Sequence, residues 1–197
     1  TTTMAQLPVA SGTDALCAGG SPWYRDWATH RDGEDPYWTP MRLGAALDRV
    51  QVPVLLQTGW QDLFLEQTME QYRHLHGRGL DVALTVGPWT HVSSMLRGSS
   101  TTLPEAFDWL AEHLAGTGER TRPAPVRAYV TGAGQWRDFA EWPPAAVERV
   151  LRPLPGGGLG DRQAPEGARA TFTYDPTDPT PTTGGRLLGG ASVAGYT

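Results

Sequence analysis

The chain has 197 residues, an apolar fraction of 39% and a formal net charge of −5, so it is long enough for a globular core. No basic stripe is present, which excludes nucleic acid as the main partner because phosphate contacts need clustered cations. No apolar run approaches the roughly 18 residues of a membrane-spanning helix, so we expect no membrane segment. The single cysteine, Cys17, excludes an intramolecular disulfide.

Residues 1–50 are rich in turns and contain two aromatic pairs, at 23–24 and 37–38. One short helix is predicted here, from about Met41 to Val50. The segment shows no signal-peptide pattern, which would need a basic start followed by an apolar stretch.

Residues 51–116 alternate strand and helix patterns in the order β-α-β-α. The run from Val52 to Leu56 is short, apolar and β-branched, which is typical of a strand buried on both faces. A helical pattern follows Asp62 and ends at residues 77–79, where glycine can cap a helix. A second apolar strand is predicted from Leu80 to Val86.

The second helix of this region is predicted from Thr102 to Gly116. Thr102 and Glu105 form a capping box, Pro104 suits a first turn, and Gly116 closes the end. Four apolar residues line one face of this helix: Leu103, Phe107, Leu110 and Leu114.

From residue 121 onward the pattern changes to short strands separated by turns rich in proline and glycine. Strands are predicted at Val126–Val130, around Val150 and at Ala170–Tyr174. This pattern predicts the start of a β-sandwich or jelly roll, truncated at residue 197. Because two parallel strands and two helices cannot form a stable sheet alone, we expect the chain to lack its other half.

Asp62 and His91 each come directly after a predicted apolar strand. The carboxyl ends of parallel strands meet at one edge of a sheet, so the two side chains can meet there. A carboxylate beside an imidazole fixes its tautomer and stabilises the imidazolium, as in a catalytic triad, and in α/β-hydrolases the acid precedes the histidine. The alternatives are that Asp62 only caps the following helix and that His91 is an ordinary loop histidine.

The motifs around these two residues resemble a known family. Gly59-Trp60-Gln61-Asp62-Leu63-Phe64 and Gly87-Pro88-Trp89-Thr90-His91 are similar to the acid and base motifs of the cocaine esterase / X-prolyl dipeptidyl peptidase family of α/β-hydrolase serine hydrolases. Later motifs, such as Trp136-Arg137 and Glu141-Trp142-Pro143, look like that family's passage into its C-terminal jelly roll.

The resemblance implies a fold and a set of domains. The fold class would be α/β: the C-terminal part of an α/β-hydrolase fold followed by the start of a β jelly roll. Residues 1–50 would be the end of a helical cap region, residues 51–120 the C-terminal βαβα part of the hydrolase domain, and residues 121–197 the beginning of the jelly roll.

The resemblance also implies site residues and a reaction. Asp62 would be the triad acid, His91 the base, and Phe64 a wall of the acyl pocket, with Trp60 as a second substrate-binding residue. Gln61 departs from the family, which commonly places an aromatic residue there. The substrate would be a small-molecule ester or a peptide, including X-Pro and other amides, with no metal and no cofactor.

No serine of the sequence fits the nucleophile elbow, which needs Gly-x-Ser-x-Gly on a strand-to-helix turn. Ser21 precedes Pro22, which has no N–H to donate to an oxyanion. Ser99 and Ser100 lack flanking glycines, and Ser192 follows both the acid and the base. We therefore expect the nucleophile to lie outside this sequence and the chain alone to be inactive.

The other histidines of the sequence predict no second site, and two other functions remain as alternatives. His74 and His76 point to different faces of a helix, so they predict no metal pair, and His113 is assigned to a helix surface. The alternative functions are a non-catalytic jelly-roll binding or assembly module and the complementing chain of a two-chain hydrolase. A protein partner of this chain would be the missing N-terminal half or a second copy of the chain. The sequence identifies no compartment, although the cytoplasm is slightly favoured.

Overall fold

The computed structural model describes residue 10 and residues 21–116, 119–163, 165–167, 169, 171–178 and 185–188. The chain divides into two compact units, Thr1–Val50 and Gln51–Thr197. Cys17 and Ser192 lie outside the described residues, as do Ala170 and part of the turn-rich segment near the C-terminus.

The first unit contains one α-helix and two 3₁₀ helices. Helix α1 spans Pro22–Thr29, and the 3₁₀ helices span Pro36–Met41 and Gly44–Arg49. The prediction of one helix from Met41 to Val50 is therefore wrong in type and in its start. The preceding 3₁₀ helix contains Pro40 and ends at Met41, and the short segment after it closes only 3₁₀ turns.

Aromatic side chains pack against one another within this unit. The rings of Trp27 and Trp38 lie 5.9 Å apart, and His30 stacks on Tyr37 at 4.2 Å. The Asp35 carboxylate accepts a hydrogen bond from the Tyr37 backbone N–H and pairs with His30. The hydrogen bond from His30 is the main cause that lowers the pKa of Asp35.

The second unit is built on a four-stranded mixed sheet. Strands β1 (Val54–Gln61), β2 (Val82–Thr90), β3 (Val126–Val130) and β4 (Gln135–Phe139) lie in the order β1-β2-β3-β4. The first three are parallel, and β4 is antiparallel to β3. The predicted α/β class and the first two strands are confirmed.

Three helices connect and cover these strands. Helix α2 (Leu65–Gly77) joins β1 to β2 and buries Tyr72 and Leu75. Helices α3 (His91–Leu96) and α4 (Ser99–His113) lie between β2 and β3 in the chain. None of the described helices combines the length and the hydrophobicity that crossing a lipid bilayer requires.

Helix α4 begins three residues before its predicted start at Thr102. The Thr102 backbone N–H donates to the Gly98 carbonyl, so Thr102 already lies inside the helix rather than at its cap. The predicted capping box is therefore wrong, and Pro104 lies in the helix interior. The apolar face predicted for this helix is largely exposed, at 55, 69, 48 and 79%: Leu103, Phe107, Leu110 and Leu114.

The predicted jelly roll is not confirmed. The strand at Val126–Val130, assigned to it by sequence, instead pairs with β2 and extends the parallel sheet. Beyond residue 139, the described residues contain only β5 (Arg152–Pro153) and β6 (Leu159–Gly160), which pair with each other. No strand forms around Val150 or at described residues 171–174.

Candidate active site

The first candidate residue, Asp62, lies in the tight turn that follows β1. Its backbone N–H donates to the Gly59 carbonyl at 3.0 Å. Its carboxylate Oδ1 accepts from the Phe64 backbone N–H at 2.9 Å, which makes an Asx turn. Phe64 is the residue that precedes α2, so Asp62 is not the N-cap of that helix. The side chain is buried, although a lone carboxylate favours water, and a partner is therefore expected.

The second candidate residue, His91, is the first residue of α3 and follows β2 without an intervening loop. A capping box fixes this start. The Thr90 backbone N–H donates to the Ser93 hydroxyl at 2.8 Å, and the Ser93 backbone N–H donates to the Thr90 hydroxyl at 3.4 Å. His91 is therefore held by a helix start, where the sequence analysis had left a loop residue as the alternative.

The structure brings these two side chains together. Nδ1 of His91 lies 3.2 Å from Oδ1 and 3.4 Å from Oδ2 of Asp62. The carboxyl side chain is 8% exposed and the imidazole 26% exposed, so water screens the pair only in part. No described residue makes a hydrogen bond to Nε2, the other ring nitrogen of His91. This nitrogen can exchange a proton with a reacting group while the carboxylate stabilises the charged ring.

The two candidate substrate-binding residues occupy different places beside the pair. The Phe64 ring meets the His91 ring edge to face at 5.1 Å and is 51% exposed. The Trp60 indole N–H donates to the Tyr129 carbonyl at 2.6 Å, and its ring packs on Trp142 at 5.7 Å. Phe64 thus presents an apolar surface next to the imidazole, whereas the only N–H donor of the Trp60 side chain is already used.

Comparison with known proteins finds a matching family model and a similar esterase. Residues 3–93 match the family model described as X-Pro dipeptidyl-peptidase (S15 family). The chain is 28% identical over 194 residues to a cocaine esterase of Rhodococcus sp. (strain MB1 Bresler), covering 85% of this chain and 33% of that protein. The chain is therefore similar to proteins of the cocaine esterase / X-prolyl dipeptidyl peptidase family. The resemblance stated from the motifs is thereby confirmed.

A solved structure shares the fold of this chain. An α-amino acid ester hydrolase superposes with a TM-score of 0.69 at 22% identity, covering 87% of this chain and 32% of that one. The chain therefore spans about a third of the length of both relatives.

Trp89 supports the family's two motifs, a role that the sequence analysis missed. A Cβ at Gly59 would collide with the Trp89 carbonyl, and one at Gly87 would collide with the Trp89 ring. Gly59 and Gly87 are partners in the register of β1 and β2. The Trp89 side chain is buried and lies 5.7 Å from Trp136. Glycine within two apolar strands was the available signal, because it marks close approach of another group.

Three serines near the start of α3 and α4 use their hydroxyls in hydrogen bonds to backbone carbonyls. The hydroxyls of Ser99 and Ser100 donate to the carbonyls of Leu96 and Arg97 in the preceding turn. Ser94 likewise donates to the backbone carbonyl of His91.

One group of side chains has the composition of a cation site: Asp81, Glu112 and His113. Arg120 already pairs with both carboxylates, contacting Glu112 at 3.0 Å and Asp81 more closely. The guanidinium thus supplies the positive charge that a metal ion would bring. His113 packs on Trp109 at 4.2 Å and is only 18% exposed, so it is not the surface residue that was predicted.

Proposed function

We propose that the chain contributes the acid, Asp62, and the base, His91, of the catalytic triad of a serine hydrolase. The observation that carries this proposal is the contact of 3.2 Å between Nδ1 of His91 and Oδ1 of Asp62. Similarity to a cocaine esterase and to the X-Pro dipeptidyl-peptidase (S15) family model supports the reaction class.

The proposed reaction is hydrolysis of an acyl ester or an X-Pro or other amide through an acyl-enzyme. Nε2 of His91 takes the proton of a serine hydroxyl as its oxygen attacks the carbonyl carbon, and the imidazolium then protonates the leaving group. Water releases the acyl group in a second, equivalent step. Asp62 orients the ring throughout and stabilises its charge.

In this proposal, aromatic residues shape the site around the base. Phe64 forms a wall of the acyl pocket, because its half-exposed ring lies against the His91 imidazole. Trp60 contributes only the part of its ring that Trp142 leaves open, since its indole N–H is bound to Tyr129.

The nucleophilic serine comes from outside these 197 residues, either from polypeptide encoded upstream or from a separate chain. Two observations support a further piece of hydrolase domain. Strand β1 pairs on one side only among the described residues. The apolar face of α4 is also exposed, with Phe107 at 69% and Leu114 at 79%.

The test compares this chain, alone and joined to the polypeptide encoded upstream, on an activated ester and a fluorophosphonate probe. We expect negligible turnover by the chain alone and both turnover and probe labelling by the longer protein. In the longer protein, Asp62→Asn and His91→Gln should each lower kcat by about 10³- to 10⁴-fold. His76→Gln, which alters an exposed histidine of α2, is the matched control. Unchanged turnover in His91→Gln would refute the proposal.

A further inference from the structure

A short segment far along the chain contacts both the turn before Asp62 and the start of α3 at His91. Residues 185–188, called the strap below, make three backbone hydrogen bonds to them. The Leu187 N–H donates to the Gln61 carbonyl at 2.9 Å. The His91 N–H donates to the Leu187 carbonyl at 3.2 Å, and the Val92 N–H donates to the Leu188 carbonyl at 2.8 Å.

These bonds complete the start of α3. The first N–H groups of a helix have no partner inside the helix and need one from elsewhere. The strap carbonyls accept from His91 and Val92, and the Thr90 hydroxyl accepts from Ser93. A helix of six residues has little stability of its own, so these external bonds hold the His91 backbone in place.

A single strap residue reaches both halves of the acid–base pair. Leu187 binds Gln61, the neighbour of Asp62, through its N–H, and binds His91 through its carbonyl. A side-chain ion pair between Arg186 and Glu66, in the first turn of α2, aligns the strap further. Both of these side chains are at least half exposed, so the ion pair is weak compared with the backbone bonds.

We propose that the strap is a positioning element of the site and that Leu187 is its central residue. This inference rests on the proposed function. A catalytic acid and base work only when they are held within about 0.5 Å of their productive geometry. Without the strap, the start of α3 frays, and the contact between Nδ1 of His91 and Asp62 is no longer held.

The main test is Leu187→Pro, which removes the N–H that binds Gln61, with Leu187→Ala as the control that keeps both backbone groups. Nuclear magnetic resonance of the chain follows the hydrogen-bonded Nδ1–H of His91, assigned by its loss in His91→Gln. We expect Leu187→Pro to abolish this resonance and to speed amide exchange of His91 and Val92 at least about tenfold. Leu187→Ala should leave all three signals unchanged.

Amide protection of Leu84, in the middle of β2, shows whether the Leu187→Pro protein is folded. If Leu84 stays protected and the His91 signals do not change, the strap has no positioning role. If Leu84 loses protection, Arg186→Glu decides instead. Its repulsion of Glu66 should speed exchange at His91 about two- to fivefold, and adding Glu66→Arg should restore the parent rate. No change in either protein would overturn the inference.

These measurements are independent of turnover, so the two proposals can fail separately. If Leu187→Pro loses the Nδ1–H signal and the longer protein is inactive, the positioning role of the strap is supported and the serine hydrolase proposal is refuted. If the longer protein is active and the His91 signals do not change in Leu187→Pro, only the positioning role is refuted. In an active protein, the strap also predicts a lower kcat with little change in KM for Leu187→Pro.

Discussion

Strands β1 and β2 each end at one residue of the candidate acid–base pair, yet they lie in different surroundings. β2 lies between β1 and β3 and is buried along most of its length. β1 has one strand neighbour among the described residues, and most of its residues are only half buried. The base therefore follows a strand that this chain encloses, whereas the acid follows a strand whose outer edge is available for pairing.

The largest expected effect tests this comparison with a matched pair of leucines. Leu56 of β1 and Leu84 of β2 are register partners, but only Leu84 is fully buried. Leu84→Ala should lower the free energy of unfolding by about 2–5 kcal/mol, because it leaves a cavity. Leu56→Ala should cost less than half as much. Urea denaturation with comparison of midpoints and slopes measures both changes, and equal losses would show that β1 is as enclosed as β2.

The parts of the fold that could be predicted are those that local pattern determines. The apolar runs of β1 and β2 identify buried strands, and strand ends place Asp62 and His91 at the same edge of the sheet. Val126–Val130 was assigned to the wrong sheet because a five-residue apolar strand looks the same in a parallel sheet and in a jelly roll. Its pairing with β2 is a long-range choice that no local pattern contains.

The supports of the candidate site were harder to predict than its side chains. The hydrogen bonds of Leu187 to the site come from its backbone N–H and carbonyl, and every residue type except proline carries both. Trp89 was visible as part of a motif, but its close approach to Gly59 depends on the register of two strands. Sequence therefore predicts the meeting of the candidate side chains better than it predicts the contacts that hold them.

The next effect concerns a carboxylate that bridges the two strands and is 12% exposed. Glu105 of α4 accepts from Thr85 of β2 at 2.6 Å and from Gln57 of β1 at 3.3 Å. It also pairs with Arg122, which is only 11% exposed, at 3.3 Å. Glu105→Gln leaves this guanidinium without its charge partner and should cost about 2–3 kcal/mol in urea denaturation.

Glu34→Gln is the matched control for this prediction. It removes the same charge from an exposed pair with Arg42, and exposed pairs contribute at most about 1 kcal/mol. If both substitutions cost equally little, water reaches Glu105 along the β1 side and screens its pair with Arg122.

The smallest effect appears only at alkaline pH. It tests whether solvent reaches Tyr72 of α2, the helix that packs against β1. Tyr72 of α2 is buried, and α2 packs against both β1 and β2. Burial is the main cause that raises the pKa of Tyr72. In the unfolded chain tyrosine ionises near pH 10, so above that pH the unfolded state binds fewer protons than the folded state. Stability should therefore fall, by at most about 1.4 kcal/mol per pH unit, until the pH passes the folded pKa.

Tyr72→Phe should remove this part of the alkaline loss, because phenylalanine has no proton to release. Tyr174→Phe is the control, since Tyr174 is 70% exposed. Urea denaturation at pH 8 and at two values above about pH 10 measures the slope for the parent and both variants. A parent slope that Tyr72→Phe leaves unchanged would mean that solvent enters along the open edge of β1 and lets Tyr72 ionise as in water. In that case the greater solvent access of β1 compared with β2 would extend to α2, the helix that packs against both strands.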